Sequence, residues 1–145
     1  MSLPQVAVVG AAETTRLGKV PEMSQLQLHA DAALNAFADA GISAREIDGV
    51  ATAGESPTAI AHYLGITPTW VDGTAVGGCS FMVHVRHALA PLQTVQCTTV
   101  LITHGESGRS GEGRGGFRGS SSSLQGQIES HYGPMGPPTM FTLTV

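Results

Sequence analysis

The alternation of short apolar segments with helical patterns is the feature that most restricts what this chain can fold into. Short segments rich in β-branched residues predict buried strands, and they cover residues 5–10, 47–53, 69–72 and 95–104. Helical spacing and capping signals predict helices between them, at residues 24–40, 57–64 and 79–90. The order β-α-β-α-β-α-β predicts an α/β fold, in which a mostly parallel sheet carries helices on its faces and is joined by right-handed crossovers.

The predicted helices have recognisable start and stop signals. Ser24 and Gln27 have the spacing of a capping box, and Gly41 follows the last turn of the first helix. Pro91 is expected to end the third helix at about Ala90, because proline lacks an amide hydrogen and clashes with the preceding turn. The first helix is the best supported of the three.

Composition and charge exclude several classes of function. The chain has 145 residues, with 7 Lys or Arg against 11 Asp or Glu, and its formal net charge is -4. A nucleic-acid partner is excluded, because neutralising phosphates needs clustered basic side chains. No apolar run is long enough for a membrane span, and nothing resembles a secretory signal, so we expect a cytoplasmic protein.

The cysteines and histidines do not form a metal-binding pattern. Cys79 and Cys97 are the two cysteines, and their separation suits neither a disulfide framework nor a CxxC metal pair. His84 and His87 lie three apart on a predicted helix, but no third ligand occurs at ligand spacing nearby. We therefore expect no metal site and a structural role for both histidines.

The composition changes sharply after the predicted fourth strand. Of the 34 residues in 105–138, 20 are Gly, Ser or Pro, a composition that predicts a flexible loop, either a lid or an interface arm. This division gives a core domain over 1–104, the loop over 105–138 and a resumed segment over 139–145. Because the last segment, MFTLTV, is apolar again, we expect a further C-terminal part to follow it.

Cys79 is the first candidate for a catalytic residue. It follows Gly77 and Gly78 at the predicted start of a helix, where the helix dipole favours a thiolate nucleophile. The alternative is a small buried side chain in an ordinary helix stripe, since cysteine is often buried. His104 ends the central strand, and ligands of α/β sheets gather beyond the carboxyl ends of the strands. Gly77, Gly78 and His104 are therefore candidate substrate-binding residues.

Four segments together resemble the N-terminal half of a thiolase-superfamily protein. They are VAVVGAAET, LQLHADAALNAFADAGISAREIDGV, WVDGTAVGGCSFMVHVRHALAPL and TTVLITHGES, and they cover nearly all of residues 5–107. The tail HYGPMGPPTMFTLTV resembles the segment in which such proteins resume the fold after a variable loop. The resemblance implies two similar halves in a five-layered structure, a homodimer, and coenzyme A thioesters as substrates with no covalently bound cofactor.

The resemblance also implies a catalytic position, and here the sequence departs from the family pattern. The family motif places the acyl-accepting cysteine about three residues before the glycine that starts the helix, which is Ala75 in this chain. Cys79 stands where a lipid-transfer-protein branch, also called acetyl-CoA acetyltransferase-like, has a serine. Some members of that branch cleave a carbon–carbon bond of a β-hydroxyacyl thioester by a retro-aldol route, using groups from the other half of the fold instead of a cysteine. The partner histidine and second cysteine would belong to the C-terminal half.

Three functions therefore remain open at this stage. The first is acyl transfer of the acetyl-CoA acetyltransferase type, with backbone N–H groups near Gly77 and Gly78 holding an oxyanion. The second is a retro-aldol lyase or lipid-transfer role on a steroid-like or long acyl-CoA. The third is an inactive truncated fragment, and we expect the 145-residue chain alone to have weak activity or none.

Overall fold

The computed structural model describes residues 5–113 and 127–132. The chain divides into two units, Met1–Gly113 and Arg114–Val145. In the second unit, the described residues end in a short 3-10 helix, Glu129–Tyr132. The predicted segment 139–145 lies outside the described residues.

The first unit is a parallel sheet with helices packed against it. Its helices are α1 (Gln25–Ala40), α2 (Pro57–Leu64) and α3 (Ser80–Gln93), and its strands are β1 (Gly49–Ala53), β2 (Trp70–Asp72) and β3 (Val100–His104). The strand order is β2-β1-β3 and both pairings are parallel. All five residues of the central strand β1 are buried. The predicted α/β class with a mostly parallel sheet is confirmed.

Helix α1 begins and ends where its sequence signals predict. The Ser24 hydroxyl accepts a hydrogen bond from the Gln27 amide, and the Gln27 side chain accepts one from the Ser24 amide, which completes the capping box. Gly41 adopts a left-handed conformation with φ of 68°, and its N–H bonds to carbonyl groups of the last turn. These caps satisfy backbone groups that a helix leaves unpaired at its ends.

The first predicted strand, residues 5–10, does not form among the described residues. Val8 and Val9 are 81% and 64% exposed, and the segment instead runs toward α1, where the Ala11 amide donates to the Asp39 carboxylate at 2.9 Å. Gly10 lies so close to α1 that an added Cβ would stand 2.7 Å from the Ala36 carbonyl oxygen. The prediction was wrong because an apolar pattern produces a strand only when a neighbouring strand pairs with it.

Two boundaries around α3 also differ from the prediction. The helix runs through Pro91 to Gln93, because a proline in the last turn removes only its own amide bond while the Thr94 amide still reaches the Ala90 carbonyl. The predicted strand 95–104 is shortened to Val100–His104. Its first residues form a turn instead, because the Val95 and Gln96 amides bond back to the Leu92 and Pro91 carbonyls of the last helical turn. Val95 has a φ of 57°, a left-handed conformation that is uncommon for a β-branched residue.

The core lies between the sheet and the helices α1 and α2. Its cluster of buried apolar side chains consists of Ala33, Phe37, Ile47, Val50, Ile60, Ala61, Ile66 and Leu101. These residues come from α1, α2, the strands β1 and β3 and the connecting segments, so burial of this cluster holds α1 and α2 on the sheet. The carboxyl end of β1 is thereby fixed relative to the amino end of α2.

Candidate functional site

The candidate residues lie at the edge of the sheet where the parallel strands end. Glu55 follows β1, the turn 73–79 follows β2, and His104 is the last residue of β3. Because the three strands are parallel, all these segments leave the sheet at the same edge. This edge is where α/β proteins place their ligands.

The turn before α3 is open around its two glycines. Gly77 has a φ of 89°, and an added Cβ on Gly77 or Gly78 would meet no heavy atom within 4 Å. Ser80 closes the turn from below: its hydroxyl donates to the Gly77 carbonyl at 2.6 Å and accepts from the Val76 amide at 3.0 Å. Ser80 is fully buried, so the turn is anchored on one side and accessible on the other.

Cys79 is exposed at the amino end of α3, where it is the N-cap residue. Its Sγ lies 3.9 Å from the carbonyl oxygen of Val76, a weak thiol hydrogen bond. Ala75, the position that the family motif assigns to the acyl-accepting cysteine, lies in the same turn and is also exposed. The exposed thiol is accessible to a substrate, and its role as a nucleophile stays a prediction.

Polar side chains connect the turn 73–79 to β2 and α3. The Asp72 carboxylate accepts hydrogen bonds from the amide and hydroxyl of Thr74 and from Nδ1 of His87, the last at 2.6 Å. Burial raises the pKa of Asp72, but the hydrogen bonds from Thr74 and His87 outweigh it and leave the pKa below its ordinary value. His84 is fully buried and its Nε2 donates to the Thr74 carbonyl at 2.9 Å. Both histidines therefore fix the turn, as their structural interpretation predicts.

His104 has one partnered and one unpartnered ring nitrogen. Its Nε2 lies 2.8 Å from Oε1 of Glu106, and because a carboxylate only accepts, Nε2 carries the hydrogen. The Nδ1 atom is buried and has no hydrogen-bond partner within the described part of the chain. A neutral His104 in this arrangement presents a buried acceptor without a donor.

His29 lies beside His104 and was missed by the sequence analysis. It lies on α1 and is fully buried. Its Nε2 accepts a hydrogen bond from the Gly105 amide at 3.1 Å. The hydrogen of the neutral ring is therefore on Nδ1, which donates to the Thr103 hydroxyl at 2.8 Å. Burial and, second, the nearby His104 lower the pKa of His29 from 6.5 to about 4. The sequence did contain a signal for its burial. His29 lies four residues before the buried Ala33, and residues at i and i+4 share a helix face.

The first residues of the predicted flexible loop are packed against the domain. The Ser107 hydroxyl donates to the Gly18 carbonyl at 2.9 Å, and the Ser110 hydroxyl accepts from the Val20 amide at 2.8 Å. Gly105 and Ser107 are buried, and the first compact unit extends to Gly113. Residues 114–126 and 133–138 of that loop lie outside the described residues.

The structure places Cys79 and His104 at the same edge of the sheet, but no hydrogen bond joins them within the described ranges. In residues 5–113 and 127–132, no group of three His, Cys, Asp or Glu side chains is arranged to hold a metal ion. Among the same residues, no helix is long and apolar enough to cross a membrane.

No protein-family model and no curated protein matches this chain, but solved structures do. The Ltp2–ChsH2(DUF35) aldolase matches with a TM-score of 0.65 and 23% identity over 94% of this chain and 37% of that one. A monomeric SCP2-thiolase-like protein type 1 from Mycobacterium smegmatis matches with a TM-score of 0.57 and 28% identity over 68% of this chain and 22% of that one.

A third structure is OleA from Xanthomonas campestris, a cysteine-to-serine variant with bound lauric acid and lauroyl-CoA. It matches with a TM-score of 0.54 and 19% identity over 59% of this chain and 28% of that one. The chain therefore spans between 22% and 37% of the length of these three structures. The parallel sheet, its flanking helices and these similarities show that the chain has the fold of one part of the thiolase-like proteins.

Proposed function

We propose that this protein handles acyl-CoA thioesters as an acyltransferase of the acetyl-CoA acetyltransferase type, with Cys79 as the acyl acceptor. The observation that carries the proposal is the exposed thiol of Cys79 at the amino end of α3, beside two glycines with open space around them. The bound lauroyl-CoA of the OleA structure supports the choice of thioester. Coenzyme A is here part of the substrate, and no covalently bound cofactor is invoked.

The proposed step is a nucleophilic substitution at the thioester carbonyl. The Cys79 thiolate attacks the carbonyl carbon, a new thioester bond forms, and the coenzyme A thiolate leaves and takes a proton. Backbone N–H groups near Gly77 and Gly78 would stabilise the developing oxyanion. The open space around both glycines leaves room for the acyl group near these donors.

Intact-mass measurement of the protein after incubation with acetyl-CoA tests this proposal. We expect one acetyl group on the chain and none on the Cys79→Ser variant. Cys97→Ser is the matched control, because Cys97 is 2% exposed and should not contribute to acylation. An acetyl group that remains on the Cys79→Ser protein, or an unmodified chain that nevertheless binds acetyl-CoA, would contradict the role of Cys79 as the nucleophile.

The second candidate function is that of a retro-aldol lyase or, without catalysis, of a lipid-transfer protein. The aldolase structure favours it, because that similarity extends over 94% of this chain. The substrate would be a β-hydroxyacyl thioester with a steroid-like or long acyl group. Release of acetyl-CoA from such a thioester, with the same rate in the Cys79→Ser variant, would support the lyase against the acyltransferase.

The cellular compartment, the homodimer and the inactive-fragment interpretation also remain proposals. The matched thiolase-like protein of Mycobacterium smegmatis is monomeric, so the fold is compatible with a single copy. A chain that binds neither acetyl-CoA nor a β-hydroxyacyl thioester would favour the inactive fragment over both enzymes.

A further inference from the structure

We propose that the groove between β2 and α3 is a binding site for a small planar aromatic carboxylate, in which Arg86 receives the carboxylate and Trp70 the aromatic ring. The groove has a volume of about 520 Å³, which is within the usual size of small-molecule sites. Its lining consists of Trp70, Val71, Asp72, Arg86, His87, Ala90, Pro91 and Gln96. Cys79 is not among these residues, so the inference goes beyond the proposed acyl-thioester function and does not depend on it.

Hydrogen bonds at both ends of β2 hold the two walls of the groove together. At the end of the strand, the Asp72 carboxylate accepts from Nδ1 of His87 on α3 at 2.6 Å. Before the strand begins, the Thr69 hydroxyl donates to the Gln96 carbonyl at 2.7 Å. The Gln96 amide in turn donates to the Pro91 carbonyl in the last turn of α3 at 2.9 Å. Because β2 and α3 are joined on either side of the groove, its shape exists before a ligand binds, and binding need not order it.

Arg86 is the charged side chain of the groove that has no partner. Asp72 and His87 are bonded to each other, and the Asp72 carboxylate also accepts two hydrogen bonds from Thr74. Arg86, in contrast, is exposed and makes no hydrogen bond or ion pair within the described part of the chain. A guanidinium group presents a planar set of donors that matches the two oxygens of a carboxylate. The free charge in the groove is therefore positive and suits a planar anion.

Trp70 supplies the aromatic surface of the groove. Its ring packs on β1, since a Cβ added to Gly49 would lie 3.4 Å from Cε3 of Trp70. The residue is only partly buried, so the remaining surface of the ring is open to the groove. Aromatic rings bind one another in stacked or edge-to-face arrangements, and Ala90 and Pro91 add apolar surface beside the indole. A ring that carries a carboxylate therefore meets a matching group at each of its two parts.

The experiment is a titration of the 145-residue chain with three matched ligands. They are naphthalene-2-carboxylate, its neutral carboxamide, and decahydronaphthalene-2-carboxylate, which has the charge but no aromatic ring. Trp70 is the only tryptophan, so its indole N–H gives a single NMR signal that reports on the groove. We expect the aromatic carboxylate to shift this signal. It should bind about tenfold more tightly than the carboxamide and about fivefold more tightly than the saturated acid.

Substitutions assign the two contacts to their residues. Arg86→Gln should remove the preference for the carboxylate over the carboxamide, whereas Arg45→Gln, at an exposed position before β1, should preserve it. Trp70→Leu should remove the preference for the aromatic acid over the saturated acid, measured by calorimetry because the indole signal is lost. If that variant fails to fold, the saturated acid still tests the ring contact in the unaltered chain. Cys79→Ser should leave all three affinities unchanged, because Cys79 does not line the groove.

Three results would overturn the inference. Equal affinities for the carboxylate and the carboxamide would mean that Arg86 does not receive an anion. Binding that calorimetry detects without any shift of the Trp70 signal would place the ligand outside the groove. No binding of naphthalene-2-carboxylate at millimolar concentration would mean that the groove is not a site for this class of ligand. Acylation of Cys79 is measured separately, so failure of the proposed function would leave each of these results interpretable.

Discussion

The imidazole of His29 is fully buried, and both of its nitrogens are bonded to groups of β3 or the residue after it. The neutral ring satisfies this environment, since one nitrogen accepts and the other donates. A second proton would remove the acceptor for the Gly105 amide and place a charge in the interior. Burial, followed by the repulsion from His104, therefore lowers the pKa of His29 to about 4, although Glu55 and Glu106 act in the opposite direction.

This lowered pKa predicts that the folded domain loses stability in mild acid. Between pH 6.5 and about 4, His29 is protonated in the unfolded chain but stays neutral in the folded protein. The free energy of unfolding therefore rises with pH across this window. The contribution is complete above pH 6.5, and about 3 kcal/mol of stability is lost as pH falls to 4. Urea unfolding at a series of pH values measures this slope.

The matched variants for that measurement are His29→Gln and His62→Gln. The first should flatten the pH dependence between about 4 and 6.5, because glutamine does not titrate, and the second should leave it unchanged, because His62 is exposed. An unaltered slope in His29→Gln would assign the acid sensitivity to other groups.

Gly105 gives a second prediction at the residue scale. A Cβ at this position would lie 2.6 Å from Cδ2 of His29 and 2.9 Å from the His29 backbone nitrogen. Gly105→Ala should therefore lower the free energy of unfolding by roughly 1–3 kcal/mol, because the backbone of α1 cannot move aside without cost. Gly108→Ala is the control, since a Cβ there meets nothing within 4 Å. Equal denaturation midpoints for the two variants would show that α1 and β3 can separate freely.

At the scale of single elements, local signals predicted the helices better than the strands. The capping box at Ser24 and the glycine at position 41 are properties of adjacent residues, so sequence alone locates both ends of α1. A strand depends on its neighbour, and for that reason the apolar pattern of 5–10 predicted a strand that the described residues do not contain. The contacts of His29 with Thr103 and Gly105 join residues more than 70 positions apart, which no local pattern encodes.

The caps of α1 and α2 allow a test of this local control. The Ser24 side chain accepts the Gln27 amide, whereas the Ser56 side chain makes no capping bond to the backbone of α2. Ser24→Ala should cost about 1 kcal/mol of unfolding free energy, and Ser56→Ala should cost distinctly less. Chemical denaturation of the two variants at neutral pH measures the difference, and an equal loss would mean that the Ser24 hydroxyl contributes nothing as a cap.

At the scale of the whole molecule, α3 has one buried face and one exposed face that carries apolar side chains. Its buried side chains are Ser80, His84, Ala88 and Pro91. The neighbouring rows carry the apolar side chains Phe81, Met82, Val85 and Leu89, which are between 41% and 60% exposed. Because Phe81, Val85 and Leu89 are spaced by four residues, they form a continuous stripe along the helix. Contiguous apolar surface of this kind favours association.

We expect the chain to self-associate through this stripe in a concentration-dependent way. Replacing Val85 and Leu89 together by lysine should shift the protein toward the monomer in size-exclusion chromatography with light scattering, since two charges would have to be buried in any contact. The thermal midpoint should change little, because both side chains already face outward. Leu34→Lys is the matched control: Leu34 is 56% exposed on α1, away from the stripe, and its replacement should leave association unaltered. A wild-type chain that stays monomeric at every concentration, or a lysine pair that associates as before, would show that the stripe does not drive self-association.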